Sequence, residues 1–253
     1  MTPYYAAVID GATPKTKFRY PNGETPGARA ARQLTKAVES LPTDIDAYSA
    51  FCLLNATLTQ PEVEAANRPT ASIAIFSKSR NEIWMMGDCQ FALLSQGTNG
   101  GMEMQCYDNP KRIDKILSQW RSDILHSLLS RGVCNCEEIA SNDPGRKIIQ
   151  PFITQQVRYQ NLLSEHPLAY GVLDGTNVPR RFIRQFPVQP EVKQIILATD
   201  GYPRLFGTLQ ESEDELMRLL KVDPLCIGPL LGTKGVKLGN NSYDDRSYLR
   251  IEL

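Results

Sequence analysis

PTASIAIFSKSRNEIWMMGDCQFALL, residues 69–94, is the stretch on which the fold turns. ASIAIFS (71–77) and EIWMM (82–86) are short runs of apolar and β-branched residues separated by a polar SRN stretch, which reads as a hairpin. Gly87-Asp88 is a turn signal, and QFALL (90–94) continues the run as a third strand. Further strand-like runs lie at 4–9 (YYAAVI), 181–188 (RFIRQFPV), 192–199 (VKQIILAT) and 247–253 (SYLRIEL).

Helical patterns fill the gaps. Residues 27–41 repeat Ala30, Ala31, Leu34, Val38 and Leu41 at three- and four-residue spacing, and 46–58 predicts a second helix. Residues 110–129 line up Ile113, Ile116, Leu117, Trp120, Ile124 and Leu128 on one face. Asp143-Pro144 opens another helix, expected to run through Ile148, Phe152, Val157 and Leu162. Residues 212–220 begin acidic and end basic, as the helix dipole favours. Trp84 and Trp120 are expected in the core. The order is strand, two helices, antiparallel-type strands, two long helices, strands, a helix and a last strand. It is not a βαβ alternation, so the class is α+β rather than a doubly wound parallel sheet.

The 253 residues fit one large domain, 1–253, without repeats or a linker. Lys plus Arg and Asp plus Glu number 28 each, so no net field draws the chain to nucleic acid or an anionic membrane. No apolar run reaches the roughly 18 residues of a spanning helix, and the N-terminus has no basic signal-peptide start, so a cytoplasmic protein with reduced thiols is expected. Cys134 and Cys136 form a lone C-x-C without a second pair at zinc spacing.

Four aspartates share a context. Asp10 ends YYAAVI before Gly11; Asp88 follows EIWMM and Gly87; Asp200 ends VKQIILAT before Gly201; Asp244 precedes SYLRIEL. An apolar strand that stops at an aspartate sets a carboxylate at the end of a sheet, and several such strands can converge their carboxylates. Converging carboxylates repel unless a cation neutralises them, and an oxygen-only set suits Mg2+ or Mn2+. Asp174-Gly175, in a loop, is expected to be a plain turn.

VIDG (8–11), PGARAARQL (26–34), the 69–94 stretch, IILATDGYPRLF (195–206) and YDDRSYLRIEL (243–253) resemble, in order, motifs of the PPM (PP2C-type) family of metal-dependent protein phosphatases. The resemblance spans residues 8–253 and thins over about 107–187, where a divergent helical segment at about 107–165 is a plausible seat of specificity. It implies a four-layer α-β-β-α sandwich of two antiparallel sheets flanked by helices. It also implies metal binding by the carboxylates of Asp10, Asp200 and Asp244 and the carbonyl of Gly11, with Asp88 at a third, weaker site and Ser247 holding the Asp244 turn. One or two Mn2+ or Mg2+ ions, with a third possible, would activate water against a phosphorylated serine or threonine of a protein substrate.

The chain departs from the family pattern at several positions. No acidic or basic residue precedes Asp10, so the usual second-metal acid and phosphate-gripping arginine are missing. Ala12 stands where a general acid is proposed, and Gln90 stands where the Gly-Asp-Ser-Arg signature has its arginine. Lys15, Lys17 and Arg19 are the candidates to grip phosphate in its place. A catalytically weak or inactive relative, kept as a regulatory or phosphopeptide-binding module, is the rival reading. A haloacid-dehalogenase-like nucleophile at Asp10 wants a second aspartate at position 12, which is Ala12. The glycines of GPLLGTKGVKLG lack the phosphate-loop order, and His126 and His166 are not spaced as metal ligands.

Overall fold

In the computed structural model, which describes residues 1–13, 15–97, 100–237 and 239–253, the elements in chain order are strand β1 (Tyr5–Gly11), helices α1 (Pro26–Glu39) and α2 (Ala47–Ala56), strands β2 (Ala71–Ser77), β3 (Glu82–Met86), β4 (Gln90–Gln96) and β5 (Met102–Tyr107), helices α3 (Arg112–Ser130), α4 (Cys136–Ser141) and α5 (Pro144–Gln155), strands β6 (Arg184–Pro187) and β7 (Val192–Ala198), helix α6 (Leu209–Val222) and strand β8 (Tyr248–Glu252). Pro14 of the ATPKT stretch and Leu238 of the glycine-rich loop lie outside the described residues. Two four-stranded antiparallel sheets form, in the orders β1-β2-β3-β6 and β5-β4-β7-β8, so the fold is α+β.

The chain divides into two compact units, Met1–Asn109 with Val157–Asp200 and Ser247–Leu253, and Pro110–Gln156 with Gly201–Arg246. The first holds both sheets with α1 and α2. Strand alternation sends Tyr5, Ile73, Ile75, Trp84 and Met86 to one face of the first sheet, where they meet Leu34 and Val38 of α1 and Phe51 and Leu54 of α2. The opposite parity sends Ala6, Val8, Phe76, Ile83 and Met85 to the other face, against Phe91 and Leu93 of β4 and Ile195 and Leu197 of β7. Helices, sheet and sheet therefore stack as three layers, with dry cores between them.

The second unit is built around α3 and α5. Its buried stripe on α3 is Ile113, Leu117, Arg121 and Leu125, a strict four-residue line. This corrects the expected face. Ile116 and Trp120 are 48% and 41% exposed, and Trp120 leans on Phe152, itself 48% exposed. The cause is Arg121, whose guanidinium is fully buried and carries the stripe onto its own side of the helix.

Boundaries shifted where local signals were ambiguous. The helix expected through Leu162 stops at Gln155, where a 3-10 turn over Gln156–Tyr159 takes over. The strand expected at 181–188 keeps only Arg184–Pro187, after a 3-10 turn at Arg180–Phe182. Strand β5 and helix α4 were not anticipated. MEMQCY alternates apolar and polar residues but lies mostly exposed at the edge of its sheet, and Cys136 opens α4 behind an Asn135–Glu138 capping box.

Candidate functional site

Register and turn chemistry bring three of the four aspartates to one end of the sheet pair. Gly11 at the end of β1 pairs with Ala71 at the start of β2, and Ile73 pairs with Met86 at the end of β3. A tight turn through Gly87, Asp88 and Cys89 then starts β4, whose Gln90 pairs with Ala198 at the end of β7. The strands carrying Asp10, Asp88 and Asp200 thus terminate together. Gln90 reinforces the junction, its side-chain amide donating to the carbonyl of Thr199 at 3.0 Å. The backbone N–H of Ser247 donates to the Thr199 hydroxyl at 2.9 Å.

Asp10 lies opposite Ser72 in the β1–β2 register, with the parity of Ala6 and Val8 and hence on the inter-sheet side. The Ser72 hydroxyl donates to the Asp88 carboxylate. Gly87, at φ 98°, has its α-carbon against that serine, and a Cβ there would fall 2.1 Å from the Ser72 Oγ, so the turn that presents Asp88 requires glycine. Gly11 is constrained differently. A Cβ there would come within 2.3 Å of the Gly27 carbonyl oxygen, so the end of β1 and the first turn of α1 approach backbone to backbone. Asp10 and Asp88 are half-buried and Asp200 is exposed.

Asp244 belongs to the other unit. Its Oδ1 accepts from Lys234 Nζ at 2.8 Å, both side chains being only partly exposed. In the same unit Glu213 accepts from Tyr202 at 2.6 Å and from Nε and Nη2 of Arg246 at 2.7 and 2.6 Å. Arg246 holds the Glu213 carboxyl below its ordinary range despite partial burial, with Tyr202 adding to the effect. Burial, and then Glu213, push the Tyr202 phenol up to about 12. Sequence reasoning missed this group, and the alternation of charges gave no signal for it.

The basic candidates differ in placement. Lys15 is half-buried, whereas Lys17 and Arg19 are exposed. Asp174, expected as a turn residue, does turn the chain ahead of Gly175 (φ 77°), but it is 4% exposed and accepts from Gln160, Asn161 and Thr176. Such a fully bonded buried carboxylate is structural.

The donor set was tested against the divalent ions it resembles. Its chemistry fits, being all oxygen and gathered at strand ends. A hydrated Mg2+ needs only one or two protein carboxylates and keeps several waters. The placement is narrower than a two-ion centre requires: among the described residues, no three His, Cys, Asp or Glu side chains group closely enough to hold an ion. No more than two of these carboxylates can therefore share an ion, which would stay largely hydrated, and Asp244 already has a cationic partner.

No protein-family model matches the chain, and no curated protein matches it in sequence. Across most of its length it is structurally similar to bacterial and eukaryotic PP2C-type serine/threonine phosphatases at low sequence identity. The similar solved structures include a bacterial serine phosphatase (13% identity, 85% of this chain and 78% of that one, TM-score 0.39), the serine/threonine phosphatase Stp1 of Staphylococcus aureus (13%, 87% and 89%, 0.38) and the serine/threonine phosphatase PstP/Ppp of Mycobacterium tuberculosis (15%, 86% and 90%, 0.36).

Proposed function

We propose that the chain is a metal-dependent phosphatase that hydrolyses phosphate monoesters, with phosphoserine or phosphothreonine in a protein as substrate. The observation that supports this best is the shared termination of the strands bearing Asp10, Asp88 and Asp200. Asp10, Asp200 and the Gly11 carbonyl would hold Mn2+ or Mg2+, with Asp88 beside them. A divalent ion supplies a nucleophilic water at neutral pH and offsets charge on the phosphoryl oxygens. The chain's own share is placement. The Gly11–Gly27 contact fixes the end of β1, Ser72 orients Asp88, and Gln90 ties β4 to the end of β7.

A phosphopeptide-binding module on the same fold is the second reading. The Lys234–Asp244 ion pair favours it, because one of the four aspartates already has its cation.

Metal-stripped protein titrated with Mn2+ by calorimetry, in parallel with p-nitrophenyl phosphate turnover, separates the two readings. Asp10→Asn and Asp200→Asn are expected to weaken Mn2+ binding by more than about tenfold and to remove turnover. Wild-type turnover in Asp200→Asn would remove the metal assignment. Absence of turnover with every divalent ion, beside intact phosphopeptide binding, would establish the module.

A further inference from the structure

A pocket opens beside the Asp10–Gly11 turn, within the first unit, and Ala12, Thr13, Lys15, Arg68, Thr70 and Gln160 line it. We infer that this pocket is an anion subsite that takes the phosphate group of the substrate, with Arg68 as its principal ligand. The inference rests on the phosphate-ester reading for the identity of its ligand. It places the grip on a residue that lies 58 positions from Asp10 and outside the Lys15–Arg19 run.

The backbone puts the pocket at the same end of the sheet as Asp10. Beyond the Gly11–Ala71 pair, the Ala12 N–H donates to the Thr70 carbonyl at 2.9 Å, so the chain after β1 and the chain before β2 leave the sheet side by side. The Thr16 hydroxyl donates to Asn67 Oδ1 at 2.6 Å, holding the loop after β1 against the segment that carries Arg68. Lys15 and Arg68 consequently line one cavity although far apart in sequence.

Arg68 has the form such a site requires. It is half-buried, and its Nε donates to the Val63 carbonyl at 3.1 Å, which fixes the plane of the guanidinium. Among the described residues this is the only hydrogen bond of its side chain, which forms no ion pair. The terminal nitrogens are left to face a ligand, and a guanidinium presents them as a fork that matches two phosphate oxygens. No acidic residue lines the pocket. Gln160 gives its amide to Asp174 at 2.6 Å, so recognition falls to Arg68, Lys15 and the threonine hydroxyls.

The test is equilibrium binding of inorganic phosphate and of a phosphoserine peptide to the whole chain, metal-stripped and again with Mn2+, with the unphosphorylated peptide as control. Wild type is expected to bind the phosphopeptide and to discriminate against the control. Arg68→Ala should weaken binding about tenfold or more, the scale of losing a charged hydrogen-bonded pair. Arg68→Lys should fall between, and Lys36→Ala, at an exposed position of α1, should leave binding unchanged. If Arg68→Ala lowers the melting temperature sharply, Arg68→Lys, which keeps the charge, decides. Wild-type affinity in both Arg68 variants, or no phosphate binding by wild type in either condition, overturns the inference. Arg68-dependent binding without turnover upholds it while the hydrolase reading fails. Turnover lost in Asp200→Asn but with KM unmoved in the Arg68 variants gives the converse.

Discussion

Trp84 and Arg121 both have no exposed surface, and they occupy the interiors of the two compact units for opposite reasons. Trp84 lies among Tyr5, Leu34, Phe51, Ile73 and Ile75, and its burial removes apolar area from water. Arg121 is held by directional bonds: to Asp143 at 2.7 and 2.8 Å, and to the carbonyls of Leu225, Gly232 and Cys226 at 2.8, 3.0 and 3.1 Å. An apolar core spreads its energy over many contacts and orders whole strands. A buried guanidinium instead fixes particular loop carbonyls, and here it pins the 225–232 segment to α3, with Ser122 and His126 meeting the Ile227 carbonyl beside it at 2.5 and 3.1 Å. The first unit is organised by its strands, and the second by a polar cluster centred on Arg121.

Paired truncations would break that comparison most forcefully. Trp84→Ala should cost about 3–5 kcal/mol by leaving a cavity among close-packed neighbours. Arg121→Ala should cost a similar amount, about 3–5 kcal/mol, because Asp143 and three carbonyls lose their donor in a buried place. Urea denaturation reads the magnitudes and hydrogen exchange reads the location. For Trp84→Ala, lost protection should spread over β1, β2 and β3. For Arg121→Ala it should concentrate in 223–235 and the start of α5, where Asp143 caps the helix through the Arg146 N–H at 2.7 Å. Equal spreading in both variants would show that the two units share one source of order.

The same contrast explains what could be read in advance. Strands β1, β2, β3, β4 and β7 were legible because each is a short apolar run, and β1, β3 and β7 lead straight into an Asp or Gly turn; both faces of the first sheet are dry, so nearly every residue of β2 and β3 carries signal. The α3 face was misread because Arg121 counts as a surface residue in any hydrophobic pattern, which moved the expected stripe toward Ile116 and Trp120. The aspartates at strand ends were visible one by one, and their convergence followed only from register. Arg68 was invisible for another reason: it follows a 3-10 turn and stands just ahead of the 69–94 stretch without belonging to its pattern, and it reaches the Asp10 end only through the Thr16–Asn67 and Ala12–Thr70 bonds.

A smaller effect is expected from the polar cluster of the second unit. Arg246 lowers the Glu213 carboxyl, so the folded state holds that proton less readily than the unfolded chain. The resulting stability is present above the usual glutamate range, near pH 4.3, and is lost as pH falls through the lowered folded value. Glu213→Gln should flatten the acid limb of melting temperature against pH below about 4.5. Tyr202 acts at the other extreme. Its pKa is raised to about 12, so unfolded chains release that proton first and stability declines as pH rises from roughly 10 toward 12. Tyr202→Phe should remove that alkaline decline, and an unchanged profile in either variant would mean the cluster carries no linkage.

The smallest change in stability is expected from the ion pair that sets Asp244 apart from the strand-end aspartates. Lys234 and Asp244 keep 21% and 29% of their side chains exposed, so solvent screens them and Lys234→Ala should cost less than about 1 kcal/mol. Its consequence for metal is larger than its consequence for folding. An ammonium and a divalent ion compete for the same carboxylate oxygen, and removing the ammonium leaves Asp244 with an uncompensated charge. If Asp244 contributes to holding the ion, Lys234→Ala should tighten Mn2+ binding, and Lys234→Ala with Asp244→Asn should return it to or below the wild-type value. Calorimetric titration of the single and double variants reads this directly. Mn2+ affinity unchanged in Lys234→Ala would leave Asp244 as a salt-bridge residue and restrict the ligand set to the carboxylates of the first unit.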